Sequence, residues 1–169
     1  MTEFQKYIQR YLDLIPTQNW LEQMEITGSE TELFYRELTE KQADFAYAEG
    51  KWSLKVLLQH LIDSEKIFHY RALRFSRNDK TELPGWDEEL YGKNNNVSRY
   101  ELHELVNEFS WARNLTISFF SKLDPETLQR KGIANGNEIS VETLGKLIVG
   151  HNIHHLNIIK ERYIPLLND

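Results

Sequence analysis

Apolar residues recur every three or four positions through most of this chain, the spacing that gathers one face of an α-helix. Phe4, Ile8, Tyr11, Leu12 and Ile15 predict a short leading helix, closed at Pro16 because a residue before proline is pushed out of helical geometry. Trp20, Leu21, Met24, Leu33, Phe34 and Leu38 keep the same period, so one helix is expected from Trp20 to Leu38 although Thr27-Gly28-Ser29 weakens its middle. Thr39 to Gln42 fits a capping box that opens a further short turn. The clearest helix runs from Ser53, a plausible N-cap, to about Arg77. One of its seams, Leu54, Leu58, Leu61, Phe68, Ala72 and Phe75, is oily; the adjacent one, Leu57, His60, Ser64, Ile67 and Arg71, carries polar groups inward.

Asn78 to Val97 holds Pro84-Gly85 and Asn94-Asn95-Asn96, turn chemistry that predicts a long surface crossing, with Trp86 and Tyr91 placed to cover one end of the molecule. Ser98 to Glu101 reads as a second capping box, followed by a helix to about Lys122 through Leu102, Leu105, Val106, Phe109, Leu115, Phe119 and Phe120. Asp124-Pro125 starts a short helical turn, and Gly132 to Ser140 reads as a connector with an extended piece at Arg130 to Ile133. A last helix is expected from Val141 to Tyr163, stopped by Pro165, with Leu144, Ile148, His151, His155, Ile158 and Arg162 facing inward. Four long amphipathic helices with no interdomain linker predict an all-α fold: one domain over residues 1–169, a four-helix bundle with a short extra N-terminal helix.

Composition narrows the chemistry. With 169 residues a full core can form without staples. The chain has no cysteine, so disulfides, thiolate metal sites and a cysteine nucleophile are excluded, and any metal must take nitrogen or oxygen ligands. A net charge of −6 argues against nucleic-acid and anionic membrane partners. The first residues lack a signal-peptide pattern and no stretch is apolar enough to span a bilayer, so a cytoplasmic protein acting on a small molecule is expected.

His151 and His155 stand four residues apart on one predicted helix, a spacing that lets two rings share one cation. Both lie on an apolar seam, where a polar group without a partner costs about 1–3 kcal/mol. His60 lies on the inward polar seam of another helix, and facing helices in a bundle can bring three imidazoles together. Three protein ligands leave a fourth position open for water or substrate, as in catalytic zinc sites, although imidazole also accepts nickel, cobalt, iron or manganese. His154 falls off this seam, to an outer or surface position, and His69 and His103 are expected to face solvent. Asp63 could orient a ligand ring, or with Glu65 serve as a base; Glu65, Arg71, Glu161 and Arg162 suggest ion pairs between helices. Trp20, Trp52, Trp86 and Trp111 read as core or loop anchors.

The run Lys51-Trp52-Ser53 through His60-Leu61-Ile62-Asp63-Ser64-Glu65 and Tyr70-Arg71-Ala72-Leu73 resembles the second helix of the DinB/YfiT-like superfamily. Gly150-His151-Asn152-Ile153-His154-His155, ending in Glu161-Arg162-Tyr163, resembles its last helix. The resemblance implies a four-helix bundle whose divalent metal is held by His60, His151 and His155; zinc or nickel are the first expectations. It departs at Asn152, where relatives often carry an acidic residue, which bears on the surroundings of the site rather than on its ligands. Relatives include thiol-dependent S-transferases and isomerases that use bacillithiol, mycothiol or glutathione, proteins described as metal-dependent hydrolases, and many homodimers, which suggests a homodimer here. The expectation carried forward is therefore a metal-dependent transferase that activates a low-molecular-weight thiol as cosubstrate. A metal-dependent hydrolase and a non-enzymatic stress-related binding module are the alternatives.

Overall fold

The computed structural model describes residues 2–167. Its long helices are α2 (Trp20–Arg36), α4 (Leu54–Ser76), α6 (Leu102–Phe120) and α8 (Val141–Ile158), preceded by the short α1 (Glu3–Leu12). Between them lie α3 (Glu40–Ala43), α5 (Glu88–Lys93) and α7 (Pro125–Leu128), and a hairpin of β1 (Lys131–Ala134) and β2 (Asn137–Ser140). In the bundle α2 and α4 each pack on α6 and on α8, so α2 and α4 stand diagonally, and α1 lies along α8. Among the described residues no helix is long and apolar enough to cross a membrane.

Local chemistry sets most of these boundaries. Side chains of Thr2, Asn19, Thr39, Ser53, Asp124 and Ser140 accept backbone N–H groups at the starts of α1, α2, α3, α4, α7 and α8. The start of α6 differs from expectation. Val97–Arg99 is a 3₁₀ turn, the Glu101 N–H donates to the Glu104 side chain, and the Leu102 N–H donates to the carboxylate of Glu40 in α3. The local box expected at Ser98 therefore forms three residues later, between Glu101 and Glu104, and Glu40 adds a long-range cap to it.

The connector before α8 is a true antiparallel hairpin pairing Lys131 with Ser140 and Ala134 with Asn137. Its Asn135-Gly136 turn has positive φ at both residues, 52° and 71°, the geometry that asparagine and glycine tolerate best. The crossing from Asn78 to Val97 is tied to this hairpin through Leu83, which exchanges backbone hydrogen bonds with Ile133 and Asn135, and it carries α5. The last helix is also less regular than its period implies. A π-helical turn over Ile159–Tyr163 follows α8 and leads into a 3₁₀ turn at Ile164–Leu166, where Pro165 removes a ladder donor.

The core divides in two. One apolar cluster gathers Trp20, Met24, Phe68, Phe75, Phe120 and Leu144; the other gathers Tyr35, Leu58, Leu61, Leu105, Phe109 and Ile159. On each long helix the residues between these clusters include buried polar side chains: Thr27 and Thr31 on α2, Ser64 and Glu65 on α4, Arg113 on α6, His151, Asn152 and His155 on α8. The bundle has a polar waist.

Candidate metal centre

His60 enters the waist from α4, and His151 and His155 enter it one turn apart from α8, because the i, i+4 spacing stacks their rings on one face. The Nε2 atoms of His60 and His155 lie 3.0 and 3.1 Å from Nε2 of His151. All three residues are buried, at 7, 8 and 7% exposure for His60, His155 and His151. Among the described residues they form the group of metal-ligand side chains close enough to share one ion.

Burial penalises the charged imidazolium and lowers the pKa of each ring. It pushes His60 down to about 4, with His154 adding to the effect. His151 and His155 are held well below the ordinary value by burial first and by the neighbouring rings second, and the Arg113 guanidinium depresses His151 further. The three rings are thus neutral near pH 7, with lone pairs available at ring nitrogens.

The donor set fits a cation. Each Nε2 has one in-plane position, filled by either a proton or a lone pair, so the two contacts made by His151 Nε2 cannot both be well-directed hydrogen bonds. Ligand nitrogens about 2.0–2.1 Å from a tetrahedral ion stand about 3.4 Å apart, so the observed spacings need only a few tenths of an ångström of expansion. His155 Nδ1 is buried without a hydrogen-bond partner, so this ring lacks the outer support that ligating histidines usually have.

Aromatic rings hold the cluster. Trp52 tilts over His60 at 4.9 Å, while Tyr11 and Phe68 meet His151 edge-on at 5.8 and 6.1 Å. Tyr11 can reach it because α1 passes directly over Gly150, where a Cβ atom would stand 2.2 Å from the Tyr11 carbonyl oxygen. His154 is half-buried beside Tyr11 and His155. Trp86, Tyr91 and Gly92 of the crossing segment line a narrow cleft that reaches His60 and Asp63. A cavity of about 240 Å³ lined by Tyr47, Trp52, Glu89, Arg162 and Tyr163 reaches His155 from another side.

Several sequence expectations need correcting. Glu65 does form a buried ion pair, but its partner is Arg113, which the sequence reading passed over; Arg113 Nε and Nη2 donate to the Glu65 carboxylate at 2.9 Å. That occupation removes Glu65 from the candidate bases. Arg162 and Glu161 are exposed rather than inward; Arg162 donates to the Tyr47 hydroxyl on the rim of the His155 cavity. His69 is half-buried, its Nδ1 3.1 Å from the Thr116 hydroxyl and its ring against Phe119, where solvent was expected. His103 is exposed as expected. Trp111 is 70% exposed on α6 and anchors nothing in the core. Asp63 makes no hydrogen bond to His60; it is half-buried in the cleft, its pKa raised by burial. Asn152 bonds Arg113 and Thr31 and leaves the rings alone.

Fold and site together define a helical bundle with three convergent histidines contributed by two of its helices. A family model described as the DinB superfamily matches residues 23–159, and the chain belongs to that superfamily. It is similar to "Putative metal-dependent hydrolase OB0413" of Oceanobacillus iheyensis, at 24% identity over 143 residues that cover 83% of this chain and 82% of that protein. Its fold matches that of YfiT from Bacillus subtilis with a TM-score of 0.72 at 19% identity, over 84% of this chain and 82% of that one. That structure is described as "a probable metal-dependent hydrolase with an unusual four-helix bundle topology".

Proposed function

We propose that the protein is a metal-dependent hydrolase of a small molecule, with a divalent cation held by His60, His151 and His155. The convergence of three buried, neutral Nε2 atoms carries this reading. A cation held there supplies Lewis acidity and brings the ionisation of a bound water toward neutral pH. The chain's own part is to keep the three rings unprotonated by burial, to fix their planes with Trp52, Tyr11 and Phe68, and to leave them two approaches, the cavity at His155 and the cleft at His60. On the rim of the His155 cavity Arg162, bridged to Tyr47, offers a cation to a substrate oxygen. Asp63 and Glu88, which line the His60 cleft with pKa values raised by burial, are the carboxyl groups placed to exchange a proton. Both relatives' descriptions name metal-dependent hydrolysis, which favours that reading over the transferase expected from the sequence.

Elemental analysis of the purified chain beside His151→Ala, followed by ester and amide hydrolysis assays with and without chelator, tests the proposal. Roughly one divalent ion per chain is expected, lost in the variant, with turnover that chelation stops and the ion restores. Failure of the wild-type chain to retain an ion after reconstitution overturns the ligand assignment. Retained metal without turnover on any ester or amide overturns the hydrolytic reading.

A further inference from the structure

The histidines are not the only polar groups with unfilled valence in this fold. Arg71 sits on α4 eleven residues after His60, three helical turns along nearly the same face. The residue is 7% exposed, yet no carboxylate pairs with it among the described residues. Nη2 donates to the Pro84 carbonyl at 2.6 Å, and the guanidinium lies over the Trp86 ring at 5.0 Å. Its remaining N–H donors have no hydrogen bond to another of the described residues. Arg113, equally buried, spends its donors on Glu65, Asn152, Thr27 and the Met24 carbonyl.

Arg71 lines a cavity of about 430 Å³, bounded by α1, α4, α8, Trp86 and the hairpin, whose walls include Phe4, Phe68, Leu144 and Leu147. A buried guanidinium in an apolar chamber is the arrangement that recognises a planar anion: its fork matches two carboxylate oxygens, and low polarity strengthens the bond. Glu3 and Glu88, both exposed, stand among the same lining residues and weaken the pull on any anion, so a single negative charge is the most that Arg71 balances. Trp86 and Glu88 also line the cleft that reaches His60, and Phe68 separates the cavity from His151. The chamber therefore adjoins the histidine centre.

We propose that this cavity binds a monoanionic organic carboxylate, its carboxylate paired with Arg71 and its apolar body against Phe4, Phe68 and Leu147. As a binding site it stands without the metal; identifying its ligand as the substrate's acid end, directed along Trp86 toward His60, rests on the hydrolytic reading above.

The test is calorimetric titration of the full chain, stripped of metal by chelator, with 4-phenylbutyrate and with its neutral amide. The acid is expected to bind at least about tenfold more tightly than the amide. Arg71→Met should erase that preference while leaving the amide's affinity in place, and Arg71→Lys, which keeps the charge but loses the fork, should reduce it to about threefold. Equal binding of acid and amide to the wild-type chain, no binding of either below about 10 mM, or an acid preference that survives in Arg71→Met overturns the proposal. The wild-type comparison decides it even if Arg71→Met fails to fold. His60→Ala separates the two readings: acid preference should persist there whether or not the wild-type chain holds an ion.

Discussion

The polar waist holds two clusters that meet on α8, where adjacent residues His151 and Asn152 belong to different ones. On the Asn152 side every bond closes. Arg113 binds Glu65 through two nitrogens, Asn152 at 3.0 Å and the Met24 carbonyl at 2.9 Å; Asn152 donates to Thr31 at 2.8 Å, and Thr31 donates to the Thr27 carbonyl. The network thereby ties α2, α4, α6 and α8 to one another. On the His151 side the bonding stays incomplete: His151 Nε2 meets two ring nitrogens and can bond well to one of them, and His155 Nδ1 has no partner. A buried polar group is tolerated when its bonds are complete. We propose that the incomplete cluster is organised for something brought from outside, with the closed half as the frame that holds it.

The sharpest way to break this contrast is Arg113→Met. It strands the Glu65 carboxylate in the core and should cost about 3–5 kcal/mol in chemical denaturation, with the Glu65→Leu, Arg113→Met double variant recovering part of the loss. A cost near zero for the single variant removes the framing role.

The two clusters also depend on different glycines. A Cβ on Gly28 would meet the flexible Arg113 side chain at 2.8 Å, whereas on Gly150 it would meet the Tyr11 backbone oxygen at 2.2 Å. Gly150→Ala should therefore push α1 off α8 and cost about 1–3 kcal/mol, as overpacking does, and should loosen Tyr11 from His151. Hydrogen exchange across α1 reads this out; unchanged protection there would show that the close approach is not needed.

The histidine side should respond to mild acid. Burial lowers all three imidazole pKa values, so below about pH 6.5 the unfolded chain takes up protons that the native metal-free chain refuses. Stability should fall as pH drops toward 4, by about 1.4 kcal/mol per pH unit for each ring that stays neutral. Urea midpoints of chelator-treated protein from pH 7.5 to 5 measure the slope, and a His151→Ala, His155→Ala double variant should flatten it. A wild-type slope no steeper than that of the double variant contradicts the burial argument.

How much of this was legible in the sequence follows the range of the forces involved. Helix period is local, so the four long helices and most of their starts could be read directly. The histidines could be read because each falls on an inward seam, where a polar residue needs a reason. The same signal marked Arg113, four residues after Phe109 on the seam of α6, but its carboxylate lies 48 residues away in Glu65, and only the packing of α4 on α6 makes them partners. Distance in sequence also hid the cap that Glu40 places on α6. The hairpin is a different case, since Asn135-Gly136 is a strong short-range turn signal that a glycine-rich stretch disguised as connector.

The smallest expected effect tests the open half most directly. His155→Leu removes a buried side chain whose Nδ1 has no partner and whose Nε2, among the described residues, stands at hydrogen-bond distance from His151, and replaces it with an apolar group of similar length. Losing an unsatisfied polar group is close to neutral, so the metal-free variant should match the wild-type chain to within about 1 kcal/mol. The same change should abolish the stabilisation that added zinc or nickel gives the wild-type chain, because two imidazoles remain where three are proposed to bind. Thermal melts with and without the ion supply both numbers. A metal-free loss as large as that of Arg113→Met would mean that His155 serves the frame, and the division of the waist into a closed and an open half would not stand.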